Sequence, residues 1–323
     1  MIRVPAILLT IVLVIEFPNN RSNSNYQKKP QEYKATGNKL IEFSEAQNIA
    51  NNCSMVIHFL LVPVKSAQRE QARLPKKYLC FVDAATRLNP KPCVFLWSKN
   101  DIENLSTADN LFLINLDEQL LLKNTPLESQ LNTKKLQLSK IGQYHISDAL
   151  RYAVLFRVGG IYLDMDMIPL PGFAEAAEKY NFGYEDPENT MMNGAFLQFS
   201  FGHPFLYFAM RSYVQDFDDI WGYQGPKLIT RVWKQYKEYL HKDKLFPNIS
   251  VAENMVFYPI YWASANEIFQ KKANYSLSRI EETSATLHFW NALTKTVKVE
   301  PGSILETLAK KHCPHYANDF EAF

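Results

Sequence analysis

The amino-acid sequence predicts an α/β fold with a mostly parallel central sheet. Short apolar segments of strand length alternate with segments that have the apolar spacing of helices, and this alternation is typical of a parallel sheet covered by helices. The chain has 323 residues, of which 47% are hydrophobic, and this is sufficient for one large core. No internal repeat or heptad pattern is visible. We therefore expect a single folded domain, preceded by a region of different composition.

That preceding region has two parts. The segment from Val4 to Ile15 is almost wholly apolar and follows Arg3, but it is shorter than the roughly 20 residues that span a bilayer core comfortably. It fits a signal peptide or a short signal anchor. Because no A-x-A-like cleavage motif follows directly, we interpret residues 1–17 as an uncleaved anchor. Residues 18–48 are polar and are predicted to form a stem, and residues 49–323 to form the domain.

Glycosylation sequons and cysteines suit a luminal protein. Five Asn-x-Ser triplets without proline begin at Asn20, Asn52, Asn104, Asn248 and Asn274, and each is a weak signal alone. The four cysteines show no CxxC spacing, which argues against a zinc site. These are Cys53, Cys80, Cys93 and Cys313. We expect one or two disulfides in an oxidising compartment, and the pairing remains open.

Charge and motifs exclude several functions. The net charge is +2, from 35 basic and 33 acidic residues, and no basic run carries interleaved aromatic residues, which argues against a nucleic-acid partner. The sequence contains no P-loop, GxGxxG, GxSxG or HExxH motif. The common nucleotide-binding, serine-hydrolase and zinc-protease classes are therefore excluded.

The elements can be predicted in chain order. In the first half, apolar runs predict strands at Met55–Val64, Val94–Trp97 and Leu111–Ile114, and helical spacing predicts helices at Tyr78–Leu88 and Ser139–Arg157. In the second half, helices are predicted at Pro204–Val214 and Lys227–Tyr239, and strand-like pieces at Asn193–Leu197, Val256–Pro259 and Leu287–Trp290. Helices and strands thus alternate along most of the chain, as an α/β fold requires.

Two aspartates end an apolar strand. Asp164 and Asp166 follow Gly160-Ile161-Tyr162-Leu163, and burying a carboxylate costs several kcal/mol unless it is paired, hydrogen-bonded or metal-bound. Two carboxylates so close repel each other, so a divalent cation would suit both. Two ordinary surface acids at a strand end are the alternative. Glycines before the pair and Pro169 after it fix the backbone locally and favour a site.

The preceding helix carries a second polar group. Asp148 and Arg151 lie three residues apart and therefore on one helix face. Alone they would be an ordinary surface ion pair. Their helix leads directly into the strand of Asp164 and Asp166, however, and ligands of open α/β sheets bind outside the carboxyl ends of strands. The polar face of this helix is therefore expected to border the same cleft.

These residues resemble a known family. Ser147-Asp148-x-x-Arg151 and Gly159-Gly160-Ile161-Tyr162-Leu163-Asp164-x-Asp166 resemble the signature of DxD glycosyltransferases with the glycosyltransferase-A fold, which is a Rossmann-like domain. The resemblance is narrower to the α-1,4-galactosyltransferase and α-1,4-N-acetylglucosaminyltransferase group that includes globotriaosylceramide synthase. It continues in order through Asn124-Thr125-Pro126-Leu127, Asn193-Gly194-Ala195-Phe196, Gln224-Gly225-Pro226, Phe257-Tyr258-Pro259, His288-x-Trp290-Asn291 and Cys313-Pro314. One departure is Leu61-Val62-Pro63-Val64, where such enzymes usually carry an acidic-hydroxyl patch.

The resemblance implies a role for each residue. It implies that Asp166 binds Mn²⁺ or Mg²⁺ directly, that Asp164 contacts the metal and the ribose, and that His288 is the third ligand. Carboxylates suit both ions, and imidazole tolerates Mn²⁺. Asp148 and Arg151 would hold hydroxyls of the donor sugar, and Arg151→Ala is expected to impair donor use without unfolding the protein. By the same resemblance, Gln224 belongs with the two aspartates to the catalytic group, and Asn193 and Gly194 to the substrate-binding group.

The implied activity is that of a retaining hexosyltransferase. The enzyme would move galactose or an N-acetylhexosamine from a UDP-sugar, in α-1,4 linkage, to the terminal galactose-type sugar of a glycolipid. Its domain would lie in the Golgi lumen, held to the membrane by residues 1–17. Front-face attack is favoured over a covalent intermediate, since no nucleophile is identifiable. Three alternatives stay open: N-acetylhexosamine transfer to glycolipids or glycoproteins, a sugar-binding homologue without turnover, and a metal-dependent hydrolase.

Overall fold

The computed structural model describes most of the chain from residue 39 onward. The described residues are 39–62, 74–88, 90–102, 104–130, 136, 139–242, 246–314 and 316. The anchor predicted for residues 1–17, residues 18–38 of the predicted stem and the sequon at Asn20 lie outside them. Among the residues described, no helix is both long enough and apolar enough to cross a membrane.

Strands and helices alternate through the described chain. The strands are β1 Val56–Leu60, β2 Cys93–Ser98, β3 Leu111–Asn115, β4 Gly160–Leu163, β5 Met167–Pro169, β6 Phe182–Tyr184, β7 Met192–Asn193, β8 Phe196–Phe199, β9 Val251–Ala252 and β10 Thr286–His288. The helices are α1 Phe43–Ala50, α2 Lys76–Thr86, α3 Glu118–Leu122, α4 Gly142–Val158, α5 Phe173–Lys179, α6 Pro204–Gln215, α7 Pro226–Lys242, α8 Asn254–Phe257, α9 Leu277–Thr283, α10 Asn291–Thr294 and α11 Ile304–His312, with a 3₁₀ helix at Trp262–Phe269.

The central sheet has the strand order β3-β2-β1-β4-β8. The first four strands are parallel and β8 is antiparallel to β4. The predicted α/β fold with a mostly parallel sheet is therefore confirmed. The chain moves from β1 outward to β3 and then returns to the other side of β1 with β4. The order reverses between β1 and β4, and such a switch point is where open α/β sheets form a ligand crevice.

Both faces of the sheet are covered, so its parallel strands read as continuous apolar runs. Ile57 and Phe59 of β1 pack into one hydrophobic cluster with residues of α2 and α11, whereas Val56 and Leu60 pack into the other with residues of α4 and α6. This division follows from the two-residue side-chain period of a strand. As a result, α4 is packed against the face of the sheet formed by β1, β4 and β8.

The domain begins earlier than the sequence indicated. Ile41 forms a parallel bridge to Ile114, and Phe43, Ala46 and Ile49 of α1 are buried in the core. Residues 41–48, predicted to be stem, therefore belong to the domain. Their mean composition is polar because α1 is amphipathic and only one of its faces contacts the core.

A second difference concerns Val256–Pro259, predicted as a strand. Its first two residues instead end the short helix α8. An apolar run this short does not distinguish a strand from a buried helical turn.

Two disulfides join distant parts of the chain. Cys53, just after α1, pairs with Cys93 at the start of β2. Cys80 in α2 pairs with Cys313 directly after α11, across a sequence separation of 233 residues. The second bond fixes the C-terminal part of the described chain to the helix beside the sheet. A cross-link across so long a loop strongly restricts the unfolded chain in the loop-entropy model.

Candidate active site

Asp164 and Asp166 lie in a tight turn between β4 and β5. The backbone N–H of Asp164 donates to the carbonyl of Ala195 at 2.9 Å, and the carbonyl of Asp164 accepts from the N–H of Met167 at 3.1 Å. These bonds end the sheet pairing and hold the turn at the carboxyl end of β4. Both carboxylates consequently stand beside the β1/β4 switch point.

The pairing of β10 with β5 brings His288 to this turn. The two strands are antiparallel, with His288 opposite Met167, and the imidazole Nε2 lies 3.2 Å from Asp166 Oδ1. The backbone N–H of Asn291 donates to Asp166 Oδ2 at 2.7 Å. One ligand atom each from Asp164, Asp166 and His288 lie within 4.8 Å of one another. The structure thus assembles the three residues predicted to bind the metal.

Asp166 and His288 form a buried charged pair. Burial alone would raise the pKa of Asp166, but the charge and hydrogen bond of His288, together with the N–H of Asn291, lower the pKa below its ordinary value. Burial alone would lower the pKa of His288, but the charge and hydrogen bond of Asp166 raise it above its ordinary value. The second ring nitrogen of His288, Nδ1, is buried without a hydrogen-bond partner in the described part of the chain.

Arg151 occupies the other side of the cleft. Its Nη2 lies 3.2 Å from Asp148 Oδ1 and 3.1 Å from Asp164 Oδ1, and its Nη1 donates to the carbonyl of Gly194 at 2.8 Å. Tyr162 donates its hydroxyl to Asp164 Oδ1 at 2.6 Å. The predicted ion pair on α4 is therefore present, and its guanidinium group also holds one of the two aspartates of the turn.

On this side a single cation, Arg151, faces two carboxylates. Burial raises the pKa of Asp148 to about 6, since the opposing effect of Arg151 only partly offsets burial and the charge of Asp164 adds to it. Burial would lower the pKa of Arg151, but Asp164, Tyr162 and Asp148 together raise it above its ordinary value. Arg151 therefore remains a cation at every physiological pH.

The remaining predicted site residues border the same cleft. A Cβ atom on Gly194 would lie 3.2 Å from Arg151 Nη1, and one on Gly225 would lie 3.0 Å from Asp148 Oδ1. Gln224 is fully buried, and neither its side-chain oxygen nor its nitrogen has a hydrogen-bond partner among the described residues. An unpaired buried polar group costs about 1–3 kcal/mol. The amide of Gln224 is consequently suited to a ligand.

Glu185 was not predicted from the sequence. It is buried directly after β6 and accepts a hydrogen bond of 2.6 Å from the side-chain amide of Asn193. Burial raises its pKa to about 7, partly offset by the bond from Asn193 and the charge of His288. Glu185 and Asp186 follow a short apolar strand, as do Asp164 and Asp166, so the sequence did contain a signal for this pair.

Lys77 was also missed. Its Nζ donates to Asn291 Oδ1 at 2.6 Å, and the negative charge of Asp166 acts on it, although burial has the larger effect and lowers the pKa of this lysine. Lys77 therefore adds a positive charge near the turn. No sequence signal pointed to it, because it belongs to a charged segment without recognisable periodicity.

Two family models match the chain. The model described as alpha 1,4-glycosyltransferase conserved region matches residues 198–319, and the model described as glycosyltransferase sugar-binding region containing DXD motif matches residues 75–182. Human alpha-1,4-N-acetylglucosaminyltransferase is 30% identical over 275 residues, which are 77% of this chain and 78% of that protein. The chain belongs to the alpha-1,4-glycosyltransferase family. The family predicted from the sequence is thereby confirmed.

Further similarities agree with this assignment. Mouse lactosylceramide 4-alpha-galactosyltransferase is 28% identical over 254 residues, which are 73% of this chain and 70% of that protein. Among solved structures, the PaToxG glycosyltransferase has a TM-score of 0.41 and 16% identity, covering 63% of this chain and 79% of that one. A structural likeness at this score adds nothing to what the sheet topology shows. Membership of the family makes the chain a glycosyltransferase that transfers a hexose-type sugar, as predicted.

The DXD motif implies a divalent cation, and the residues present fit one. Carboxylate oxygens and an imidazole nitrogen are ligands that Mg²⁺ and Mn²⁺ accept in proteins. The carboxylates of Asp164 and Asp166 lie beside the His288 ring, and their ligand atoms are close enough to share one ion. Among the described residues, Nδ1 of His288 has no hydrogen-bond partner, which further indicates that this ring has room for an additional interaction.

Proposed function

We propose that the protein transfers galactose or an N-acetylhexosamine from a UDP-sugar, with retention and in α-1,4 linkage, to the terminal galactose-type sugar of a glycolipid. The observation that carries this proposal is the convergence of Asp164, Asp166 and His288 beside the Arg151 network at the switch point of the sheet. The names of the two relatives support an α-1,4 linkage and either galactose or N-acetylglucosamine as the sugar.

Asp166 and His288, with Asp164, are proposed to hold Mn²⁺ or Mg²⁺. The bound cation supplies charge stabilisation to the departing diphosphate as the glycosidic bond breaks. The Asn291 N–H fixes the orientation of the Asp166 carboxylate, so that this ligand is positioned before the donor arrives. Lys77, hydrogen-bonded to the side chain of Asn291, adds positive charge on the same side.

Asp148 and Arg151 are proposed to contact hydroxyls of the donor sugar. Arg151 uses one amino group for both carboxylates and the other for the carbonyl of Gly194, and its Nε has no hydrogen-bond partner in the described part of the chain. The fixed guanidinium keeps both carboxylates oriented when the donor excludes water from the cleft. Preorganised charges of this kind stabilise a transition state without reorganising during the reaction.

Asn193, Gly194 and Gln224 are proposed to form the reacting face. The lack of a side chain at Gly194 allows its backbone to approach Arg151 closely, and the unpartnered amide of Gln224 offers one acceptor and two donors to a sugar. Glu185 fixes the amide of Asn193 through their 2.6 Å hydrogen bond. Glu185 is in this way a positioning residue for the predicted substrate-binding group.

Front-face attack is the proposed route by which the transferred sugar keeps its anomeric configuration. A covalent route needs a carboxylate that is available to the sugar carbon. The buried or half-buried carboxylates of the cleft are engaged otherwise: Asp148 and Asp164 bind Arg151, Asp166 binds His288 and Glu185 binds Asn193. In the front-face route, the departing phosphate oxygen accepts the proton of the attacking hydroxyl, so no carboxylate has to be released.

The domain is proposed to act in the Golgi lumen, with residues 1–17 as its membrane anchor. Both disulfides suit an oxidising compartment. The four sequon asparagines within the described residues are all exposed and so accessible to glycosylation; they are Asn52, Asn104, Asn248 and Asn274. A membrane-held enzyme is well placed to reach a lipid-linked acceptor.

The proposal is tested with the full-length protein in detergent. UDP-galactose, UDP-N-acetylgalactosamine and UDP-N-acetylglucosamine are each incubated with octyl β-lactoside and Mn²⁺. We expect one of them to yield a trisaccharide with a new α-1,4 linkage, identified by NMR, and EDTA to abolish its formation. UDP binding without transfer from any donor would favour the sugar-binding alternative. Release of free sugar with acceptor present, and no trisaccharide, would favour a hydrolase.

A further inference from the structure

The face of α4 that carries Asp148 and Arg151 continues toward the N-terminus of the helix, beyond the part of the cleft proposed to hold the donor sugar. Tyr144, Asp148 and Arg151 of α4 are separated by four and three residues, and therefore share one face. Asp148 and Arg151 lie in the cleft, whereas Tyr144, one turn earlier, is 37% exposed. Because Tyr144 shares the face of Asp148 and Arg151 and is partly exposed, it lies at the mouth of the cleft.

A second exposed aromatic residue contacts Tyr144. Trp221 is 52% exposed, and its ring lies 4.5 Å from the Tyr144 ring between centroids, edge to face at 72°. Aromatic side chains usually bury most of their surface, and adjoining exposed ones mark binding surfaces more often than isolated ones do. This pair of rings, Tyr144 and Trp221, is called the aromatic platform.

The loop that carries Trp221 is firmly held. Before it, Asp219 bonds to the ring of His145 in α4 at 3.0 Å. After it, Arg231 donates to the carbonyl of Tyr223 at 3.0 Å and stacks on its ring. The exposed indole is therefore ordered in advance, and a ligand that binds it loses little free energy to ordering the loop.

The chemistry beside the platform indicates the kind of ligand. Gln224 follows Trp221 by three residues, and its side-chain amide has no hydrogen-bond partner among the described residues. The next residue, Gly225, lies against Asp148. An apolar aromatic surface next to free hydrogen-bonding groups matches a pyranose, which has an apolar C–H face and a rim of hydroxyls. A β-linked galactose presents such a face.

We propose that Tyr144 and Trp221 bind the C–H face of the acceptor's terminal β-linked galactose-type sugar, while the Gln224 amide bonds its hydroxyls. This inference rests on the proposed function and assigns the acceptor subsite to the mouth of the cleft. The platform directs the acceptor toward Asp148 and the donor sugar. It makes no contact with the diphosphate or the cation.

The test compares acceptor and donor kinetics in the full-length protein with octyl β-lactoside. Trp221→Ala and Tyr144→Ala are each expected to raise the acceptor KM about tenfold, or about 1.4 kcal/mol, because each removes one of the two rings that contact the sugar. Donor KM and the slow donor hydrolysis without acceptor should change less than about twofold. Trp221→Phe retains a ring and should recover most of the acceptor affinity.

Phe201 supplies the matched control. It is 53% exposed, but its backbone lies against Gly159, at the opposite end of α4 from Tyr144. Phe201→Ala is expected to leave the acceptor KM unchanged. An acceptor KM that is equally unaffected in Trp221→Ala and Tyr144→Ala would overturn the proposal, as would equal increases in donor and acceptor KM.

Failure of the proposed function gives a different result. In that case the wild-type protein transfers no sugar, and binding of octyl β-lactoside is measured instead by calorimetry, with UDP and Mn²⁺ present. Weaker binding to Trp221→Ala than to Phe201→Ala then supports the platform. Equal affinity of the two variants, or no binding to the wild type, overturns it.

Discussion

The carboxylates on the two sides of the cleft are paired with different cationic side chains. On the side proposed to hold the donor sugar, Arg151 lies between Asp148 and Asp164, and its charge is permanent. On the other side, Asp166 faces His288, an imidazole whose charge depends on pH; burial lowers its pKa, but the charge and hydrogen bond of Asp166 raise it above its ordinary value. The side of Arg151 therefore contains a permanent cation. On the side of Asp166, a metal ion can replace the proton of His288.

The two aspartates of the DxD motif are accordingly oriented by different kinds of group. Asp164 accepts from Tyr162 and is bound by Arg151, so it is oriented by groups that do not dissociate. Asp166 is oriented by a backbone N–H and by an imidazole, both compatible with an added cation. We therefore expect Asp166 to be the main metal ligand, and the donor-sugar side to remain intact when metal is removed.

The largest effect is expected at Asp166. Asp166→Asn removes a charged ligand, and loss of about 4 kcal/mol of transition-state stabilisation would lower kcat about a thousandfold. The measurement is sugar transfer at saturating Mn²⁺. Asp109→Asn is the control, because this exposed acid precedes β3 at the opposite edge of the sheet and forms a surface ion pair with Lys91. Near-normal transfer by Asp166→Asn would contradict the expectation that Asp166 is the main metal ligand.

Arg151→Ala should affect folding as well as donor use. The substitution leaves two carboxylates without their cation, and breaking such a buried pair costs about 3–5 kcal/mol. The structure therefore revises the expectation that this variant folds normally. Thermal unfolding in detergent measures the loss, and Arg157→Ala, near the exposed end of α4, should lower the midpoint less. Equal midpoints for the two variants would contradict the role of Arg151 as the cation of this side.

Metal affinity should depend on pH through His288. Its raised pKa means that a proton competes with the metal for this ring up to a higher pH than in an ordinary histidine, whereas the lowered pKa of Asp166 keeps this carboxylate ionised over the same range. Apparent Mn²⁺ affinity should rise with pH and fall by up to about tenfold per unit below the pKa of the histidine. Free Mn²⁺ can be counted by EPR between pH 5.5 and 7.5. His288→Asn should bind more weakly and with a flatter pH profile; an unchanged profile would remove His288 from the ligand set.

The smallest effect is expected at Glu185. Glu185→Gln retains an oxygen that accepts the hydrogen bond from Asn193, so kcat should fall by no more than about threefold. Glu185→Ala, which leaves that amide unpaired, should have the larger effect. A thousandfold loss in Glu185→Gln would instead identify this carboxylate as a covalent nucleophile and contradict front-face attack.

From the sequence, the residues expected to meet at the cleft were easier to predict than the contacts between them. Asp164, Asp166, Asp148 and Arg151 were accessible because helix and strand are adjacent in the chain, and the ion pair follows from helical spacing. The contact of Asp166 with His288 depends on the antiparallel pairing of β5 with β10, more than a hundred residues apart. No local pattern encodes that register.

Two further features, Glu185 and the helix α1, were recognised only once the tertiary structure was known. Glu185 follows a strand of only three residues, so the signal of an acid after an apolar strand is weaker there than at Asp164. The helix α1 is polar on average, and only the sheet beside it shows which face is buried. The mostly parallel sheet was predictable because its strands are continuous apolar runs, a property of burial on both faces.

The cation is expected on the side of Asp166 and His288. Anomalous diffraction at the manganese edge, from crystals of the protein with Mn²⁺ and UDP, would locate it. One strong peak is expected in contact with the Asp166 carboxylate and the His288 ring, with Arg151 still bound to Asp148 and Asp164. A peak that contacts neither Asp166 nor His288 would contradict this expectation.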